Sequence, residues 1–351
     1  MPFVHTPRWF QRALGRLFDQ VYVNGGRYCC FDQTPYLQQH STPDQRAVGF
    51  DWLLYQVMID DKARVAPYRR DIEALVAGRT VLEIGPGPTA LLTRIAAEAG
   101  AAEIVSVEAN DWVADEAERQ VAGYGDRVRV VTRHSDDLVP ADTGGRTHFD
   151  VLLLECYHAI ASQERVVESV NALRSRGFTF DTVISRGFTT VVAPAAGPPA
   201  ARMSPVERFL MGWPMKRAEA ETAMTQRFGS MHGDMQLIAG RRLAGPQRWQ
   251  AADLQDATPV DTAQTLTFEV ERAEDYAGLQ FSNVFHFHTG ELDTGATSTD
   301  WGVYFVPLPI EHGHTGRATL TLTTHCLDPE RPSLVELRVE LAGVDSEPLR
   351  L

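Results

Sequence analysis

Between Val81 and Arg186, five short apolar runs alternate with helical patterns, and that alternation leaves few folds open. VLEI, AEIVSVE, RVRVVT, FDVLLLE and FDTVISR read as strands, and most of the stretches between them carry apolar residues at helical spacing. Strands alternating with helices mean a parallel, doubly wound sheet. Ligands of such sheets bind outside the carboxyl ends of the strands. Polar and acidic residues stand at those ends here. Glu83 and the turn GPGPT close the first strand, Glu108 the second, Ser135 and Asp136 the third, and Glu155 the fourth.

The fourth strand carries the sharpest signal. Its apolar run, Val151 to Leu154, stops at Glu155, and a second acid, Glu164, follows nine residues later. That length suffices for a loop that returns one carboxylate to the other. Taken alone, the stretch also reads as an ordinary strand end followed by a helix with an exposed Glu.

Gly85 and Gly87 in EIGPGPT let the backbone turn tightly and approach a ligand at a helix N-terminus. The dinucleotide fingerprint wants a third glycine, yet Thr89 or Ala90 stands in its place. Glu83 before the turn would repel a pyrophosphate, but suits a cofactor with an amino group and a sulfonium, S-adenosylmethionine. Glu108, about 20 residues on, can accept from both ribose hydroxyls. Ser135 and Asp136 can meet the adenine edge.

A chain of 351 residues is long enough for two domains and a large core. The segment before Val81 is helical in pattern, with Trp52, Leu53, Leu54, Val57 and Met58 at helical spacing and Pro67 expected to break or restart the helix. Beyond Gly229 the texture changes to short alternating runs, QTLTFEVE, WGVYFVPL, RATLTLTTHCL and SLVELRVELAG, which read as antiparallel sheet or barrel. A Pro/Ala loop, APAAGPPAARMSP, and a helical patch separate the two textures. The formal charge of −13 disfavours nucleic acid as a partner and suits cationic ligands. Four cysteines without CxxC or Cys/His metal spacing fit a reduced cytoplasm and no metal site. The basic, amphipathic start is read as a helix packed on the body, and no stretch approaches the length of a membrane span.

From about Trp52 to the C-terminus the chain resembles the protein arginine methyltransferase family, on three spaced motifs. They are VLEIGPGPT with the downstream SVEAN; ECYHAIASQE, similar to the family's double-Glu loop with its spacing kept; and STDWGVYF, similar to its Thr-His-Trp loop. The resemblance implies an α/β Rossmann-like methyltransferase domain followed by a β-barrel-like domain with a helical dimerisation arm. The expected boundaries are a helical segment at 1–75, a cofactor domain at 76–186 and a barrel at 187–351, with the arm at about 200–230 and a homodimer as its consequence. It makes Met58 and Arg64 the helix residues that flank the cofactor and pair with its carboxylate. Trp301 becomes the wall of a guanidinium pocket. The chain departs from the family around the substrate: Gly49 stands where a Tyr is expected, Asp300 replaces the loop His, Tyr157 and His158 replace Met-Gly, and Arg186 replaces a Pro.

The chemistry explains why two acids would be needed. A guanidinium is planar, always cationic at neutral pH and rich in donors, but its nitrogens are poor nucleophiles. Two carboxylates gripping it fix one terminal nitrogen toward a methyl donor and draw positive charge away from it. Glu155 and Glu164 are expected to form this clamp, with Glu164 or Asp300 taking up the released proton. The altered rim favours free L-arginine or a small guanidine, as in natural-product biosynthesis, over an arginine in a peptide or protein. Arg186 or His158 would then anchor the α-carboxylate. The rival readings are a small-molecule methyltransferase on another nucleophile, which needs only one base, and a non-catalytic cofactor-binding dimer.

Overall fold

The computed structural model describes residues 58–59, 61–158, 160–197, 240–255, 264–297, 299, 301–328, 331 and 333–351. Gly49, Asp300, the Cys29–Cys30 pair and the stretch expected to form the dimerisation arm lie outside them.

Helix α1 (Lys62–Leu75) opens the described core. Asp61 caps it, its carboxylate accepting the Arg64 N–H at 3.1 Å. The helix runs on through Pro67, contrary to the break expected there. Only one turn precedes the proline, so few backbone bonds are disturbed. Arg64, Pro67, Tyr68, Asp71 and Ile72 form its buried stripe at helical spacing. Two charged residues in that stripe require partners, and both have them.

Strands β1 (Thr80–Ile84), β2 (Glu103–Glu108), β3 (Val128–Thr132), β4 (His148–Leu154) and β5 (Thr179–Ile184) form a parallel sheet in the order β3-β2-β1-β4-β5. Helices α2 (Leu91–Glu98), α3 (Asp111–Val121) and α4 (Val166–Ser175) link its strands. Val81, Leu82, Val151, Leu152 and Leu153 are fully buried, as continuous apolar runs in a sheet covered on both faces must be. The strand order reverses between β1 and β4, which places the crevice of the sheet there. Ile84 is in register with Leu154, so Gly85 and Glu155 leave the sheet side by side.

The remainder folds as two antiparallel five-stranded sheets. One contains β6 (Gly187–Ala196), β7 (Gln247–Asp253), β9 (Tyr276–Phe287), β10 (Gly290–Asp293) and β11 (Tyr304–Pro307). The other contains β8 (Gln264–Val270), β12 (Ala318–Cys326), β13 (Val335–Leu341), β14 (Val344–Asp345) and β15 (Leu349–Arg350). Trp249, Phe268, Phe281, Leu320, Leu322 and Val339 belong to the apolar core of this half. The Trp249 indole also donates to the Thr324 hydroxyl at 2.9 Å. The alternating runs at 264–271, 317–327 and 333–343 thus become β8, β12 and β13. The Pro/Ala stretch does not begin as a loop: Ala193 to Ala196 complete β6.

One contact ties α1 to this second half. The buried Asp71 carboxylate accepts from His288 N at 2.8 Å, Thr289 N at 2.9 Å and the Thr289 hydroxyl at 2.6 Å, all at the β9–β10 turn. No helix among the described residues is long and apolar enough to cross a membrane.

Candidate active site

The turn after β1 has both Gly85 (φ 73°) and Gly87 (φ 64°) in the left-handed region, where side chains are strained. A Cβ on Gly85 would also stand 3.3 Å from the Cys156 sulfur, immediately after Glu155. The glycine loop and the acid loop are therefore in contact.

Glu83 lies beneath this turn. Its Oε2 accepts from the hydroxyls of Thr93 and, at 2.7 Å, Ser106. Burial pushes its carboxyl up to about 7, against the pull of those two donors. Glu108, at the end of β2, accepts from Asn110 N at 3.1 Å, and the Gly87 and Ala109 N–H groups also stabilise its charge. Burial outweighs them and raises its pKa. Ser135 and Asp136 form a short 3-10 turn after β3. The Asp136 carboxylate accepts from Ser169 at 3.3 Å and pairs with Arg165 at 3.1 Å, so it is braced toward the acid loop.

The acid loop faces the end of α1. Arg64, buried among protein, pairs its guanidinium with Glu155. The same guanidinium lies 4.6 Å from the centroid of the Trp301 ring, within cation–π range. Trp301 is fixed by donating its indole N–H to the Tyr157 carbonyl at 3.1 Å. Tyr157 packs edge-on to that indole and bonds the Ser185 hydroxyl at 2.6 Å. Burial raises the Glu155 carboxyl, Arg64 lowers it, and Asp61 raises it further.

Glu164 ends a 3-10 turn, Ala161–Glu164, and Arg165 then leaves it in a left-handed conformation at φ 60°. Glu164 is exposed by area but lies within reach of the charges of Glu155 and Arg64. Loss of bulk solvent, then the charge of Glu155, hold its carboxyl up to about 7, and Arg64 opposes them. It has no hydrogen bond or ion pair among the described residues.

The structure thus brings Arg64, Glu155, Glu164 and Trp301 to one place, beside the Gly85–Gly87 turn. Met58 is half-buried ahead of α1, while Ser135 and Asp136 stand at the neighbouring strand end. Arg186 forks onto Asp253 at 3.2 and 3.1 Å, at the β6–β7 edge. The His158 ring sits 5.4 Å from that of Tyr304. Sequence reasoning passed over Asp61, which caps α1 and acts on Glu155. An Asp three residues ahead of a helical stripe is the signal that could have found it.

No protein-family model and no curated relative matches the sequence. Solved structures do match in fold. Protein arginine methyltransferase 10 of Arabidopsis thaliana, described in a uniquely open conformation, has a TM-score of 0.58 at 18% identity over 85% of this chain and 96% of its own. The Trypanosoma brucei PRMT1 enzyme–prozyme heterotetramer with AdoHcy gives 0.60 at 17% identity, over 85% of this chain and 98% of that one. A PRMT6 structure with SAH gives 0.56 at 18%, over 83% of this chain and 100% of that one. The chain has the protein arginine methyltransferase fold: a Rossmann-like domain followed by a barrel-like one.

Proposed function

We propose that this protein is an S-adenosylmethionine-dependent arginine N-methyltransferase, acting on a terminal guanidino nitrogen of free L-arginine or a small guanidine. One observation carries the reading. A guanidinium, that of Arg64, is held between a carboxylate and an indole face with a second carboxylate alongside, so the surroundings already suit a flat cation.

The fit to the cofactor rests on the left-handed Gly85–Gly87 turn at the crevice and on the Glu108 carboxylate beside it. Gly85 and Gly87 would admit its backbone-facing side, Glu108 its ribose hydroxyls, Ser135 and Asp136 its adenine edge, and Met58 and Arg64 its amino-acid end. Glu83 supports the turn from below. The cofactor supplies an electrophilic methyl group on a sulfonium.

The protein's own part is grip, charge and proton. With Arg64 turned from Glu155 to the cofactor's amino-acid end, Glu155 and Glu164 would orient the substrate guanidinium and draw its positive charge toward themselves, freeing the terminal nitrogen for attack. At ~4 Å such a charge pair is worth about 1 kcal/mol in bulk water and ~4 at an effective dielectric of 20, so a crevice that thins the water strengthens the grip. Trp301 walls one face. As the nitrogen gains its substituent it releases a proton, and Glu164, poised near 7, takes it up. Asp300 is a second candidate acceptor. Arg186 is engaged by Asp253, and His158 is the other candidate anchor for a substrate α-carboxylate.

Purified protein incubated with methyl-labelled S-adenosylmethionine and either free L-arginine or an Arg-Gly peptide tests this. Label is expected on free arginine. Label on the peptide alone would move the substrate to a protein arginine, and label on neither would remove the transferase reading.

A further inference from the structure

The sheet of β6, β7 and β9 carries a row of polar residues in an otherwise apolar surface. Thr190 is in register with Gln250 on one side and with Asn283 on the other, and all three are fully buried. Two residues along β6 and β9 on either side stand Phe188, Val192, Phe281 and Phe285, also fully buried. Residues two apart share a face, so the polar row crosses an aromatic and aliphatic one. Polar side chains placed there are destabilising unless each is bonded.

Their bonds run to the acid loop. Asn283 Oδ1 accepts from the Thr190 hydroxyl at 2.8 Å and from Ala161 N at 3.3 Å. Gln250 Oε1 accepts from the Ser162 hydroxyl at 2.8 Å. The next residue, Gln163, donates its amide to the Ser333 carbonyl at 2.7 Å. Ser333 in turn donates its N–H (3.0 Å) and hydroxyl (2.5 Å) to Glu168, on the far side of Glu164. Three consecutive residues, 161 to 163, are therefore each pinned by the barrel half, and the fourth, Glu164, is left to face Glu155 and Arg64.

We infer that Asn283 and Gln250, with Ser333, are positioning residues for Glu164: the barrel sheet, through this buried polar row, sets where the second acid stands. The inference builds on the transferase reading for its kinetic consequence but not for its geometry. A loop held only by its own backbone would let Glu164 swing toward bulk water. The ionisable groups facing it, Glu155, Arg64 and the Cys156 thiol, would then act on it less.

The test reads Glu164 directly, by carboxyl-carbon NMR titration of the full chain, its signal assigned by loss in Glu164→Gln. In Asn283→Leu and in Ser162→Ala the midpoint is expected to fall from about 7 by one pH unit or more. Turnover should fall by about ten- to a hundredfold, as ångström displacements of reacting groups do, with cofactor KM unchanged. Ser162→Thr, which keeps the hydroxyl, should restore both. Should Asn283→Leu fail to fold, Ser162→Ala decides alone. A wild-type midpoint in a folded Ser162→Ala variant overturns the inference. A displaced midpoint in a protein that transfers no methyl group to arginine supports it while removing the transferase reading.

Discussion

Glu83 and Glu164 are both lifted to about 7, and in both the largest cause is loss of solvent. Their surroundings differ in kind. Glu83 accepts from the hydroxyls of Thr93 and Ser106, both buried beside it. Glu164 has no such donors among the described residues, and its neighbours are another carboxylate and a guanidinium. The first is held by two hydroxyl donors under the glycine turn; the second has no donor among the described residues. A displaced pKa is a pointer toward function, and the partners around the displaced group decide how it is read.

That contrast can be broken most decisively at the clamp. Glu155→Gln is expected to lower turnover by about a hundred- to a thousandfold, the range for losing one preorganised charge contact. Calorimetry on the same variant should find cofactor affinity within a few-fold of wild type. Near-normal turnover there would remove Glu155 from the mechanism.

The pH profile sharpens the same contrast. Glu164 accepts a proton only as carboxylate, the form that prevails above about 7. The rate should therefore drop about tenfold per pH unit below that point. Glu164→Gln should erase this limb along with most of the activity. A limb that persists in the variant belongs to another group.

Glu108→Ala is expected to weaken cofactor binding by about ten- to a hundredfold, as the loss of a charged hydrogen-bond partner does. Unchanged affinity would retire its ribose role.

Glu83→Gln should matter least for turnover, leaving it within about twofold, and should show its effect in stability. A carboxyl raised from 4.5 to about 7 holds its proton more firmly when folded. Its contribution is complete below about 4.5 and is lost as pH climbs through about 7. The neutral variant escapes that loss and should be more stable than wild type at pH 8, by up to about 3 kcal/mol. At pH 5 the gap should shrink. Thermal melts at the two pH values check the sign, and an equal gap at both would mean that Glu83 is not the group that titrates.

Much of this was legible in the sequence because the parallel sheet writes itself in apolar runs. Each of the five runs from Val81 to Arg186 became a strand, and the acids at their ends came to the crevice side. The second half was most legible where one face of a strand is wet, as in β8, β12 and β13, whose burial alternates, and the run WGVYFVPL became β11. β9, the longest strand among the described residues, was missed because Gln280, Ser282 and Asn283 are buried along with their apolar neighbours, which hides the period of two. The same hidden row was invisible as a support for the site. Its meaning depends on contacts between residues more than 80 positions apart. Arg64 stood out only through the family resemblance, and its seat on Glu155 and Trp301 required the fold to bring three distant segments together.

The grip of Asp71 on the β9–β10 turn makes the two halves of this chain mechanically one at the place that matters. Cutting between them would strand Arg64 on a helix whose tether had gone with the other piece, and Trp301 would leave with it. Any attempt to graft the first half onto a foreign partner would have to carry that hairpin across as well.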